Sequence, residues 1–398
     1  MVPNVPFPSR QKLKRAPHLC LATNGWSDPN TNSIVGFTLT NPVTQPVFWS
    51  SMCTGSQRHT AEYLCKVTKD VIKDVAKELD VEQSVICGFA SDNAKNMLGV
   101  QSRIQKEIPS VFASGCAVHV TNLLVQDMFK IPLLKHTFEE AVIISNYIRS
   151  RTALVFSLKQ LQQQDEEIEH RWKLKLPANT RWYSVGACIS SVVENEQLIK
   201  ISLSNNKLIG RYKNTKKDQA KFEEVEGVVG DDSFWQSAQR ALAWIEPVLN
   251  ALADLESDNC CLSMVCELVG EVKDNDAYKP VRTGRDQDSV VVVAVKNDIR
   301  HLIQRRWEFV NSGAVGIAYL LDPTKPSNKL IGEEREKAIE QMMNYAEKNG
   351  TADSRDDVEA AARRLLRDKS FWPAEAFALA SKSGPFFWWF ERATKYPT

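Results

Sequence analysis

The first third of the chain alternates between short β-rich runs and helical segments. Three β-rich runs come first, and the turn signal Asn41-Pro42 separates the second from the third. A segment over 61–79, without Pro or Gly, then carries apolar residues close to helical spacing. Two more strand-like runs follow, with a helix from about Asn93 to Glu107 between them that Pro109 ends. The predicted order is therefore β-β-β-α-β-α-β, with strands at His18–Thr23, Ser33–Thr40, Val47–Met52, Val85–Ala90 and Ser114–Val118.

Beyond residue 118 the pattern turns almost entirely helical. Ser289–Arg306 is ambiguous, because Val290–Val293 is typical of a strand while the spacing of the flanking cations favours a helix. The basic run over 205–221, followed by acidic residues to 232, is interpreted as a solvated connector. The helices predicted here are Ile131–Gln164, Phe234–Leu255, Glu333–Asn349 and Arg355–Arg367.

Composition is that of an ordinary globular protein of two or three domains. The 398 residues are 43% hydrophobic and carry a formal net charge of +1, which argues against a surface devoted wholly to nucleic acid. No apolar stretch is long enough for a membrane span, and the N-terminus lacks the apolar core of a signal peptide. The nine Cys show no Cys-x-x-Cys spacing. We expect a nuclear or cytoplasmic protein with reduced thiols, neither secreted nor bound to a membrane.

The strongest chemical signal is a carboxylate at the end of a buried strand. The apolar run Val85–Ala90 leads directly to Asp92 and a helical segment follows, which is where open α/β sheets place their ligands. An Asp in this position suits Mg²⁺, which prefers oxygen ligands. Capping of the following helix is the commoner role for such an Asp on local pattern alone. The next predicted strand ends in a Cys-x-x-His pair, Cys116 and His119.

Several short motifs occur in a fixed order along the chain. Together they resemble the hAT (hobo-Activator) superfamily of DNA transposases, over roughly residues 18–398. The motifs are Asn24-Gly25-Trp26-Ser27, Ser91-Asp92-Asn93-Ala94, Cys116-x-x-His119, Asn179-Thr180-Arg181-Trp182-Tyr183-Ser184, Ile245-Glu246-Pro247-Val248, Leu255-Glu256-Ser257-Asp258, Ala318-Tyr319-Leu320-Leu321-Asp322-Pro323, and Phe387-Trp388-Trp389 with Tyr396-Pro397.

The resemblance implies an α/β RNase H-like core with a mixed sheet and a large all-α insertion domain. The domains expected from it are a flexible basic arm over 1–17, the core with its following helices over 18–190, a mainly helical insertion over 191–370, and the start of a truncated dimerisation region over 371–398.

Family site residues carry over to a few positions of this chain. Asp92 matches the second metal-binding acid, and Cys116 and His119 match the family's Cys-x-x-His motif. Arg181 and Trp182 match an Arg-Trp pair near the cleaved DNA end, where the Trp stacks on a flipped base. Plain core packing is the alternative role for Trp182.

Two of the family's three metal-binding acids have no counterpart in this sequence. Asn24 stands where the first acid is expected, and a neutral amide binds a divalent cation far more weakly than a carboxylate. The third acid belongs to a segment beyond Tyr396-Pro397, and Glu391 lies too early to replace it. A two-metal site built on Asp92 alone is therefore not expected.

Three functions follow from these observations. The first is a catalytically inactive, transposase-derived protein that binds DNA, such as transposon ends or branched DNA, or protein partners, with any homo-oligomer weakened by the truncation. The second is an active Mg²⁺- or Mn²⁺-dependent transposase or nuclease completed by residues outside this chain. The third is a protein-interaction scaffold without a role in nucleic-acid binding.

Overall fold

The chain folds into two compact units. The computed structural model describes residues 13–16, 18–42, 44–164, 173–178, 183–257, 260–284, 287–310, 313–326, 330–350 and 354–393. The first unit comprises Met1–Val120, Asp258–Gly270 and Trp307–Thr398, and the second comprises Thr121–Ser257 and Glu271–Arg306.

The described residues form five strands and are otherwise mostly helical. The strands are β1 Leu19–Ser27, β2 Ser33–Thr40, β3 Val47–Cys53, β4 Ile86–Ser91 and β5 Phe112–Gly115. The described helices are α1 Ala61–Leu79, α2 Lys95–Glu107, α3 Ala117–Met128, α4 Pro132–Arg149, α5 Thr152–Gln164, α6 Tyr183–Val193, α7 Glu196–Ser204, α8 Asn206–Ile209, α9 Lys216–Gly230, α10 Asp232–Leu255, α11 Leu262–Asp274, α12 Val290–Val310, α13 Gly313–Leu321, α14 Gly332–Asn349, α15 Arg355–Ser370, α16 Ala374–Ser383 and α17 Pro385–Ala393.

The strands of the first unit form one mixed sheet in the order β3-β2-β1-β4-β5. The pairs β1–β2 and β2–β3 are antiparallel, whereas β1–β4 and β4–β5 are parallel. The predicted α/β core with a mixed sheet is confirmed. Because β1, β4 and β5 run in the same direction, their carboxyl ends meet at one edge of the sheet, where the chemistry of open α/β folds is usually found.

Alternating burial explains why β1 lies at the centre of this sheet. Leu19 and Leu21 are buried, while the residues between them face the other side and are partly covered. Helix α1 packs on the sheet through an apolar stripe that includes Ile72 and Val75. The Thr60 hydroxyl accepts a hydrogen bond from the backbone N–H of Tyr63 at 3.2 Å and so fixes the start of this helix.

Two predicted elements are wrong in their extent. The last strand ends at Gly115, and 117–128 is helix α3, so the Cys-x-x-His pair follows the strand instead of ending it. The single helix predicted over 131–164 is two helices, because Ser150 ends α4 and the Arg151 guanidinium donates to the carbonyl of Tyr147 at 2.8 Å.

Two further segments resolve as helix. The ambiguous run 289–306 lies in α12, which agrees with its cation spacing and not with its valines. The run 205–221, interpreted as a connector, contains α8, a 3₁₀ turn at Gly210–Tyr212 and the start of α9. Thr215 begins α9 by accepting the N–H of Asp218 at 3.1 Å.

Within the first unit, helix α14 anchors the edge strand β5. The rings of Phe112 and Tyr345 stack with centroids 4.0 Å apart, and the Tyr345 hydroxyl donates to the carbonyl of Ser110 at 3.1 Å. These contacts fix the edge strand whose carboxyl end leads to Cys116.

The described part of the second unit is entirely helical apart from connecting segments. Its core gathers apolar residues of α4, α6 and α10, among them Ile144, Ile189 and Ile245, which are fully buried. Across both units, no helix in the described part of the chain is long and apolar enough to cross a membrane.

Candidate functional site

The parallel pairing of β1 with β4 brings Asn24 and Asp92 to the same place. Ala22 is opposite Ala90 in the register. Asn24 and Asp92 each lie two residues further along, so they share a face of the sheet edge. Both line one cavity of about 250 Å³ in the first unit. The structure therefore places these two predicted site positions at the same cavity, whereas their functional role stays a prediction.

Asp92 has a structural role in this cavity. Its Oδ1 accepts the backbone N–H of Ala94 at 2.9 Å, just before α2 begins. This i to i+2 bond is an Asx-type turn that precedes the helix. The N-cap residue is Ala94, which makes no side-chain capping bond, so Asp92 is not the N-cap that the capping alternative expects. The residue is half-buried, and one carboxylate oxygen is thus committed to the backbone.

A small hydrogen-bond network holds the backbone around Asp92. Gln101 of α2 donates to the Ser91 hydroxyl at 2.8 Å and to the Asp92 carbonyl at 3.3 Å. The Asn93 side chain donates to the Cys116 carbonyl at 3.0 Å, and the Cys116 N–H donates to the Ser91 carbonyl at 2.7 Å. The ends of β4 and β5 are therefore tied together at this edge.

Cys116 and His119 occupy different positions from Asp92. Cys116 follows β5 directly and His119 lies in the first turn of α3, and both are half-buried. Neither is among the residues that line the cavity of Asn24 and Asp92. Arg181 and Trp182, predicted to contact DNA, lie outside the residues that the structure describes.

Two further residues that line the cavity were not among the predicted site residues, although Asn96 belongs to the motif that begins at Ser91. His59 comes from the loop before α1, and its Nε2 lies 2.6 Å from the Thr54 hydroxyl. Asn96 of α2 donates to the carbonyl of His59 at 2.9 Å, which fixes this loop against α2. A lone His in a polar loop gave no local signal, because the contact depends on a strand and a helix that only the fold brings together.

Trp26 is the most accessible aromatic side chain of the cavity. It is 44% exposed and belongs to β1, two residues beyond Asn24. Its ring lies over Gly36 of β2, where a Cβ would come within 2.7 Å of the ring atoms Cη2 and Cζ3. Glycine at this position therefore allows the indole ring to approach the backbone of β2 closely, while part of the Trp26 side chain remains exposed.

The donor set does not fit a two-metal centre. Among the described residues there is no group of three or more His, Cys, Asp or Glu side chains that could hold a metal ion. Of the described residues, Asp92 is the only carboxylate that lines the cavity, and one of its oxygens already accepts a hydrogen bond. Two-metal phosphodiester chemistry needs carboxylates that bridge or flank both ions, which one Asp with an Asn and a His does not provide.

Residues 9–144 match the family model of a domain of unknown function, DUF659. DUF659 is a domain found in transposase-like proteins of the hAT family. The match covers about a third of the chain and spans all five strands, including the cavity with Asn24 and Asp92. No curated protein matches the chain.

A larger cavity of about 520 Å³ lies in the second unit between α6 and α10. Its walls are mainly apolar, and Gly186 of α6 lets Leu249 of α10 approach closely. Glu246 and Glu256 line it and belong to two of the sequence motifs, but none of the predicted site residues that the structure describes lines it.

Proposed function

We propose that this chain is an hAT-like, transposase-derived protein that binds nucleic acid through an RNase H-like core without cutting it by two-metal catalysis. The observation that carries the proposal is the cavity at the carboxyl ends of β1 and β4, which pairs one carboxylate with an exposed aromatic ring. The order of three antiparallel strands followed by two parallel ones supports the RNase H-like assignment, as does the DUF659 match.

The cavity suits recognition better than cleavage. The partly exposed indole ring of Trp26 offers a stacking surface for an unpaired base, and such stacking is independent of sequence. Asn24 and Asn96 add amide groups that donate and accept hydrogen bonds. In the absence of a second carboxylate, the site lacks the charge needed to concentrate two divalent cations. The proposed protein would act in the nucleus, and its ligand would be single-stranded or branched DNA.

Replacing Trp26 with Ala should weaken binding of single-stranded DNA by roughly 5- to 150-fold, because one base–aromatic stack contributes about 1–3 kcal/mol. Fluorescence anisotropy of a labelled oligonucleotide measures the change at fixed salt concentration. Trp26→Phe is the matched control, since it keeps an aromatic face over Gly36 and should retain most of the affinity. Equal affinities of the Ala variant and the unmodified protein would contradict the stacking role.

Incubation of the unmodified protein with branched DNA and Mg²⁺ or Mn²⁺ should give no cleavage. The Asn24→Asp variant should bind Mn²⁺ at least about tenfold more tightly by calorimetry, because it places a second carboxylate beside Asp92. Cleavage by the unmodified protein that disappears in Asp92→Ala would overturn the non-catalytic proposal. It would favour the alternative of an active nuclease.

A further inference from the structure

The second unit carries a run of exposed cations that have no acidic partner. Between residues 205 and 221 there are six basic side chains and a single acid, Asp218. The Asp218 carboxylate accepts the Thr215 hydroxyl at 2.7 Å at the start of α9. Within the described residues, none of the six cations forms an ion pair. We define the basic surface as Arg151 together with these six cations: Lys207, Arg211, Lys213, Lys216, Lys217 and Lys221.

Aromatic rings hold two of these cations close together. The Arg151 guanidinium lies 3.5 Å from the centre of the Tyr147 ring and 5.4 Å from that of Tyr212. The Lys213 ammonium lies 3.7 Å from the centre of the Phe222 ring, and the Tyr147 and Phe222 rings are 6.2 Å apart. Cation–π contacts keep the two charges in place without neutralising them.

Unpartnered polar atoms occur at the same cluster. The Tyr147 hydroxyl and the Arg151 Nε are buried and have no hydrogen-bond partner among the residues that the structure describes. Tyr147 is only 5% exposed. A buried donor without a partner costs about 1–3 kcal/mol, so a bound anion or an anion-linked water would satisfy atoms that the free protein leaves unpaired.

We propose that the basic surface binds the phosphate backbone of a nucleic acid. Cations repeated over fifteen residues, from Lys207 to Lys221, match phosphates repeated along a strand, whereas a single small anion would use only the Arg151–Lys213 pair. Neutralising phosphates releases condensed counterions, which gives affinity without sequence readout. This inference rests on the proposed nucleic-acid function, but it places a binding surface in the helical unit that is separate from the Trp26 cavity.

A triple charge reversal tests the basic surface in the full-length protein. Arg211→Glu, Lys213→Glu and Lys217→Glu together should reduce the affinity for a labelled 20-nucleotide DNA at least about tenfold near 0.1 M salt. The slope of log Kd against log salt concentration should fall by about 2, since each lost phosphate contact removes about 0.7–0.9 from it. Circular dichroism should show unchanged helix content, because the three side chains are exposed.

The matched control reverses three exposed lysines of α1, Lys66, Lys73 and Lys77, with the same change in net charge. Retained DNA affinity in the control confirms that position matters, and an equal loss in both variants overturns the proposal. Poly-glutamate is the second probe. If the reversal at the basic surface weakens poly-glutamate binding as much as DNA binding, the nucleic-acid assignment is wrong.

Comparison with Trp26→Ala separates this inference from the cavity proposal. Loss of DNA affinity only in the Trp26 variant would reject the basic surface and keep the cavity. Loss only in the charge-reversed variant would reject stacking at Trp26 and keep the basic surface. Loss in neither variant would reject both, because then no tested part of the chain contributes to nucleic-acid binding.

Discussion

Replacing Asp322 with Ala should lower the free energy of unfolding of the first unit by about 3–5 kcal/mol, because it removes a buried charge that satisfies several partners. Asp322 is 4% exposed and follows α13 directly. One carboxylate oxygen accepts the N–H and the hydroxyl of Thr324, at 2.8 and 2.6 Å, and the other accepts the Ser263 hydroxyl. Urea unfolding followed by tryptophan fluorescence measures the change.

Asp322→Asn is the matched control for this prediction. The amide keeps an acceptor for Thr324 but loses the charge. The free energy of unfolding of this variant should therefore fall between those of the unmodified protein and Asp322→Ala. A loss below about 1 kcal/mol in Asp322→Ala, the range of ordinary surface changes, would contradict a structural role for this carboxylate.

Lys369 gives the same cluster a pH signature. It is 2% exposed, and its ammonium donates to the carbonyl of Asp322 and to that of Leu320 at 3.4 Å. Burial lowers the pKa of Lys369 from 10.5 to about 8, while the negative charge of Asp322 acts in the opposite direction. Between pH 8 and 10.5 the unfolded chain holds a proton that the folded chain has released, so this group makes stability rise with pH in that window.

The Lys369→Met variant isolates this contribution. Its unfolding free energy should lack the rise between pH 8 and 10.5 that Lys369 adds to the unmodified protein, while the effects of Tyr and Cys residues cancel in the comparison. Parallel stability curves for the two proteins across this window would contradict the assignment.

The sequence predicted the sheet well because each strand carries its own signal. Apolar runs bounded by turn residues located β2 and β3 closely, and the run before Asp92 located β4. The position of Asp92 at the carboxyl end of a central strand followed from that pattern alone. The predicted strand β5 extends too far, because Ala117 and Val118 are apolar and fit a strand or a helix equally well. Only the start of α3 in the structure shows that they are helical.

The rest of the site depended on contacts between distant segments. Trp26 has the local pattern of an ordinary β-strand residue, and the close approach of its ring to the sheet depends on Gly36 of the neighbouring strand. The many charged residues of the run 205–221 favour a solvated connector when the sequence is considered alone. The buried residues Ile209 and Phe222 nevertheless anchor its helices, and two widely spaced apolar residues give a weak periodic signal.

Asp127 should be the corresponding stabilising charge of the second unit. It is 5% exposed at the end of α3, and its carboxylate accepts hydrogen bonds from Arg305 at 3.1 Å, from the Arg306 Nε at 2.9 Å and from Lys130 at 2.7 Å. Asp127→Ala leaves Arg306, the least exposed of these cations, without its partner. We expect a loss of about 2–4 kcal/mol, below the full buried-pair cost because Arg305 and Lys130 regain water.

The acid dependence of stability provides a second readout for Asp127. Burial by itself would raise the pKa of this carboxyl, but the hydrogen bonds and charges of Lys130 and Arg306 outweigh it and hold the pKa below the usual 3.8. Its stabilisation is therefore complete above that value and is lost as the pH falls through the lower folded pKa. Asp70→Ala, at an exposed position of α1, is the control. If Asp127→Ala costs no more than Asp70→Ala at pH 7, or keeps the unmodified acid unfolding profile, then the Arg–Asp cluster does not stabilise this unit.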